Sequence, residues 1–142
     1  MTFRPLPLPW RRLALGALLG LMGAAFWAAL QPQLAPSGLY GFDKLVHAGA
    51  FGLLTLLGVL ASASRRTAFL AILAVFALGG AIEVAQSFVP RREASLSDLA
   101  GDVVGIAAGL ATILLGHRVA GRIRRARHGI VTQPAAFASL PE

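Results

Sequence analysis

The sequence contains no cysteine. Disulfides, thiolate metal sites and a cysteine nucleophile are therefore excluded, and the redox compartment cannot be read. Charge is scarce as well: 13% of the 142 residues are Asp, Glu, Lys or Arg, against about 25% in soluble domains. With 56% hydrophobic residues, against roughly 45–50% in such domains, the chain is not a water-soluble globule. The length fits one domain and leaves no room for a membrane anchor plus a soluble enzyme of ordinary size. Any chemistry is expected on the membrane part itself. No internal repeat is present. Thirteen basic residues against six acidic give a net charge of +7, but the arginines flank apolar runs, which makes them topology signals and headgroup contacts rather than a nucleic-acid surface.

What is abundant is long apolar sequence. Four runs, Leu13–Leu30, Leu45–Ala63, Ala68–Val89 and Leu99–Leu115, extend roughly 25–33 Å at 1.5 Å per residue and match a hydrocarbon core of about 30 Å. The expected fold is all-α, an integral membrane bundle of four transmembrane helices in a single domain over residues 1–142. Glycine and alanine would weaken these helices in water, but in lipid the backbone must bond to itself and small residues let helices approach. The first run is longer than a signal-peptide core and no clear A-x-A site precedes Gln31, so it reads as a span. The tract Pro5–Pro9 reads as a short extended lead-in.

Basic residues near the span ends set the expected orientation. Arg4, Arg11, Arg12, Arg65, Arg66, Arg118, Arg122, Arg124, Arg125 and Arg127 fall on one side, and Lys44, Arg91 and Arg92 on the other. That asymmetry places both termini in the cytoplasm. Beyond the last span, Val119, Ile123, Ala126 and Ile130 recur at helical spacing with arginines between them, which predicts a basic amphipathic extension on the inner leaflet. Gln133–Glu142 has no periodicity and reads as disordered.

Three ionisable residues lie inside the spans: His47, Glu83 and Asp102. A charge near the bilayer centre costs at least about 2.5–3.5 kcal/mol, so such residues are functional candidates by default. In a four-span alternating topology all three approach the external face. Asp43 and His47 are i, i+4; Glu83 and Gln86 are i, i+3; Asp98 and Asp102 are i, i+4, so each pair shares a helix face. On the fourth span that face joins Gly101, Gly105 and Gly109, a small-residue packing stripe that turns the carboxylates into the bundle. The loop 90–95 can supply Arg91 and Arg92 from the same side. Plainer roles exist for each residue. Asp43 and Asp98 suit helix starts, Lys44 and Arg91 suit headgroup anchoring, Arg92 can pair with Glu93, Ser95 or Ser97 can cap the fourth helix, and His47, Glu83 and Gln86 can bond between helices. So many carboxylates together nevertheless favour a site. Its candidate catalytic residues are His47, Glu83 and Asp98, and its candidate ligand-binding residues are Asp43, Lys44, Gln86, Arg92, Ser95 and Asp102. One expected pairing joins Arg92 to Glu83 or Asp98.

The order Asp43-Lys44-x-x-His47, Glu83-x-x-Gln86, then Pro90-x-Arg92-x-x-Ser95-x-x-Asp98-x-x-x-Asp102-x-x-Gly105 resembles the VanZ-like family of small bacterial membrane proteins, over about residues 43–109. Two departures are Arg91, where the family often has Gly, and Asp102, where it commonly has Asn. The resemblance implies a multi-span protein, and the founding member is associated with resistance to teicoplanin, a glycopeptide antibiotic. It names no reaction.

Two functions are expected from these residues. One is a site at the outer leaflet that binds or acts on a lipid-linked or otherwise anionic envelope molecule, including a lipoglycopeptide. There a His–Asp pair and Glu83 would serve as base and acid, with Arg92 and Lys44 on a phosphate or carboxylate. The other is a non-catalytic scaffold module whose polar cluster only holds the helices together. A transporter fits less well, since polar groups confined to one end leave no path across. Membrane lipids are the expected partners, nucleic acid is not, and no cofactor is expected. Metal is set aside because no H-E-x-x-H-like spacing is present. Gly16-xxx-Gly20 and Gly101-xxx-Gly105 are both candidate stripes for a homo-oligomer.

Overall fold

The computed structural model describes residues 3–31, 42–90 and 96–131. These form four helices, α1 Leu8–Ala29, α2 Phe42–Ala61, α3 Arg65–Gln86 and α4 Leu96–Val131, and no strand is present among the described residues. All four are long and apolar enough to cross a membrane, so the protein is an all-α, multi-pass membrane protein. The chain divides into two compact units, Met1–Leu110 and Ala111–Glu142.

The helices differ from the apolar runs at their ends, for local reasons. Helix α1 begins at Leu8, after the N-cap Pro7, with a proline inside its first turn, rather than after an extended tract ending at Pro9. Proline tolerates the first turn because the N–H it lacks would have no intrahelical partner there. Helix α3 begins at a reciprocal cap: the Ser64 hydroxyl accepts from the Thr67 N–H, and the Thr67 hydroxyl accepts from the Ser64 N–H. This satisfies donors at the turn without a charge. It ends at Gln86, and residues 87–90 turn rather than continue the span to Val89. Helix α4 runs on to Val131, so the basic segment belongs to the same helix as the fourth span. Within the second unit Leu114, Leu115, Val119 and Ile123 are exposed, as are Arg118, Arg122 and Arg125. Gln133–Glu142 lies outside the described residues.

In the first unit, three contacts fix the alternation of direction. The Arg11 Nε–H near the start of α1 donates to the Ala61 carbonyl at the end of α2 (3.2 Å), and so satisfies a C-terminal carbonyl that the helix itself cannot. The Gln86 Nε2 at the end of α3 donates to the Ala29 carbonyl at the end of α1 (3.1 Å). Near the start of α2, His47 meets Asp102 near the start of α4 (2.9 Å). Leu18, Phe51, Leu54, Val75, Ile82 and Ile106 make the apolar centre.

Association in lipid gains little from apolar burial alone, so close packing must hold the helices. Helices α2 and α4 achieve it through glycine. A Cβ on Gly105 would collide with the backbone of Ala48, and one on Gly109 would lie 2.7 Å from the Gly52 carbonyl oxygen. The stripe on α4 is thus used within the chain, whereas Gly16 and Gly20 on α1 have nothing within 4 Å of a built Cβ.

Candidate functional site

The close α2–α4 seam brings the two helix starts together and carries His47 into reach of Asp102. His47 Nδ1 and Asp102 Oδ1 lie 2.9 Å apart; the His47 side chain is 21% exposed and that of Asp102 2%. A carboxylate on Nδ1 fixes the ring's orientation and, in the neutral form, places the proton on Nδ1 so that Nε2 presents a lone pair. Phe51, one turn along α2, lies parallel to the imidazole, with centroids 6.4 Å apart and planes 3° apart. The other carboxylate oxygen of Asp102 rests on α3, where a Cβ on Gly79 would be 2.6 Å from Oδ2. Three helices therefore meet at this one carboxylate.

Glu83 follows Gly79 by one turn on the same face of α3 and is buried. Asp98 precedes Asp102 by one turn, half-buried in the first turn of α4. Both carboxyl groups lie within electrostatic reach of the His47 ring, as Asp102 does. Among the described residues, then, His47, Glu83, Asp98 and Asp102 converge on one end of the first unit. Gln86 is buried beside them, with its amide nitrogen turned to the Ala29 carbonyl. Lys44 is exposed near the start of α2. The side chain of Asp43 lies outside the described residues, as do Arg91, Arg92 and Ser95, and with them the pairing of Arg92 to Glu83 or Asp98. No grouping of three or more His, Asp or Glu with metal-ligand geometry occurs among the described residues.

Two members were not visible as site residues in the sequence. Phe51 sits at i+4 from His47, a spacing that signals a shared face but not a stacked ring. Gly79 carries no chemistry, and its part is to leave room for a carboxylate. The i, i+4 arithmetic also pairs His47 with Asp43 and Asp102 with Asp98, whereas the short contact joins His47 to Asp102 across 55 residues.

A helical membrane protein with a part-buried histidine–carboxylate pair at one end of its spans is the class these features define. The sequence profile of the VanZ/LLP1 family matches residues 14–117, which covers α2, α3 and the dyad. The chain belongs to that family. Comparison with curated proteins gives no match, and comparison with solved structures gives none either.

Proposed function

We propose that the cluster around His47 is a binding site for a lipid-linked or otherwise anionic envelope molecule at the outer leaflet, with His47 and Asp102 as its central pair and Glu83 and Asp98 beside them. The observation that carries this is the dyad itself: a nearly buried carboxylate oriented on an imidazole that keeps partial access to the outside. Magnitudes favour a site over glue. A hydrogen bond between membrane helices contributes on average about 0.6 kcal/mol, at most about 1.7, whereas taking an ionised carboxylate out of water into a protein interior costs several kcal/mol. The glycine seam already joins α2 to α4 through close backbone approach, at Gly105 against Ala48 and Gly109 against Gly52. With Nδ1 committed to Asp102, Nε2 is the nitrogen that serves a ligand, and it can equally take a proton as a general base. Lys44, Arg91 and Arg92 are the cations for a phosphate or carboxylate on that ligand. In a positive-inside orientation both termini are cytoplasmic and this end faces outward. A link to teicoplanin-type resistance follows from the family and is part of this proposal.

The scaffold reading rests on one specific observation, the Gln86 to Ala29 bond, in which a candidate site residue ties two helix ends. Nuclear magnetic resonance of the histidine nitrogens separates the two. His117→Asn/His128→Asn leaves one imidazole, and the protein in lipid nanodiscs is titrated with a polyprenyl phosphate, with teicoplanin, and with the neutral polyprenol. A site predicts that the Nε2 resonance of His47 moves with an anionic probe and not with the polyprenol. No movement with any probe, together with Glu83→Gln and Asp98→Asn proteins that melt well below the parent, would establish the scaffold instead.

A further inference from the structure

At the opposite end of the first unit a groove of about 590 Å³ runs between the first half of α1 and the last turns of α2, lined by Leu6, Trp10, Leu13, Ala17, Leu57 and Leu60 among others. Its size lies within the roughly 300–1,000 Å³ range of small-molecule sites, but its wall is apolar throughout. Nothing in that wall recognises a headgroup, so its own chemistry suits an acyl chain. The polar group stands at its rim. Arg11, adjacent to Trp10, is half-buried, and its Nε–H is used on the carbonyl of Ala61, adjacent to Leu60. That bond holds the guanidinium between the two helices that form the groove, with four further N–H donors on its terminal nitrogens.

The charges around it have one sign. Arg4, Arg12, Arg65 and Arg66 are exposed near the α1 start and the α2–α3 turn, while the acidic residues placed in the first unit, Glu83, Asp98 and Asp102, belong to the other end. An anion for Arg11 must therefore come from outside the described residues. Trp10, 61% exposed, has the ring type that collects at the membrane–water interface. We propose that this groove is a binding site for an anionic phospholipid, one acyl chain lying along Trp10, Leu13, Leu57 and Leu60 and the phosphate on Arg11. Basic pockets between membrane helices bind acidic headgroups by this combination of charge and apolar wall.

Trp10 and Trp27 are the two tryptophans of the sequence, so Trp27→Phe leaves a reporter on the groove itself. The variant is reconstituted in vesicles of phosphatidylcholine carrying equal mole fractions of either brominated phosphatidylglycerol or brominated phosphatidylcholine, with bromine at the same acyl position, and quenching of Trp10 is compared. One cation at an anionic surface contributes about fivefold, so Arg11 is expected to supply a share of about that size in the preference of the groove for phosphatidylglycerol. Arg11→Lys, which keeps the charge but loses the Nε bond, retains most of the preference, and Arg11→Gln brings it towards equality. Quenching by brominated phosphatidylcholine should be the same in all three proteins, which certifies that the groove persists. Equal quenching by the two lipids in the Trp27→Phe protein would overturn the proposal, as would a preference that Arg11→Gln leaves intact.

Discussion

Asp102 and Gly79 approach so closely that a side chain on Gly79 would have to displace the carboxylate: a Cβ there would sit 2.6 Å from Asp102 Oδ2 and 3.2 Å from a ring carbon of Phe51. The neighbouring Gly80 has nothing within 4 Å. Gly79→Ala is expected to displace the carboxylate from His47 and to lower stability by about 1–3 kcal/mol, the usual range for an overpacked interior. Gly80→Ala should leave stability unchanged. Thermal melts of the two variants in the same detergent make the comparison, and equal melting would contradict the geometry.

The seam between α2 and α4 predicts a similar contrast between stripes. Gly105→Ala meets the backbone of Ala48, which cannot rotate away, and is expected to lower the melting temperature markedly. Gly16→Ala meets nothing, so the folded monomer should tolerate it. A loss of self-association in Gly16→Ala without loss of monomer stability would assign the α1 stripe to a homo-oligomer.

For the dyad, a double-mutant cycle is informative. His47→Ala and Asp102→Ala each leave a partner in a low-dielectric setting, so the pair of single losses should exceed the loss in the double variant. A coupling on the order of 0.5–2 kcal/mol in chemical unfolding is expected from hydrogen bonds between membrane helices. Simple additivity would mean that the 2.9 Å contact adds nothing.

Orientation can be checked directly because the sequence has no cysteine. Single cysteines at Ser37, Ser64, Ser95 and Ser139 should react with a membrane-impermeant thiol reagent outside intact cells only at positions 37 and 95. Labelling at position 139 would reverse the assignment of both termini to the cytoplasm.

Number and order of the helices were legible in the sequence, because runs of 17–22 apolar residues have few alternatives to spanning a bilayer. Their ends were less so. Proline at position 9 suggests an extended segment until the first-turn exception applies, and arginine at positions 118–127 suggests an amphipathic extension beyond the span without saying that it continues the same helix, although nothing in Gly116–Gly121 breaks the one already begun. In the candidate site, His47, Glu83 and Asp102 stood out through the expense of charge in lipid. Their mutual arrangement did not, since helical periodicity reports neighbours on one helix and is silent about which face meets which. The small-residue stripe Gly101, Gly105 and Gly109 was the exception, because it marked the side of α4 that faces a partner helix.

The 55 residues between His47 and Asp102 also bear on how the protein is made. At a synthesis rate of roughly 5–20 residues per second, the histidine leaves the ribosome about 3–11 s before the aspartate that orients it. During that interval the preceding helices can enter the bilayer with an imidazole that lacks its Asp102 partner. Arrival of α4 then delivers the carboxylate and the glycine seam in one step. Completion of the candidate site therefore waits for α4, and a nascent chain halted before Asp102 would hold a helical hairpin already capped at Ser64 and Thr67 with its histidine still without Asp102.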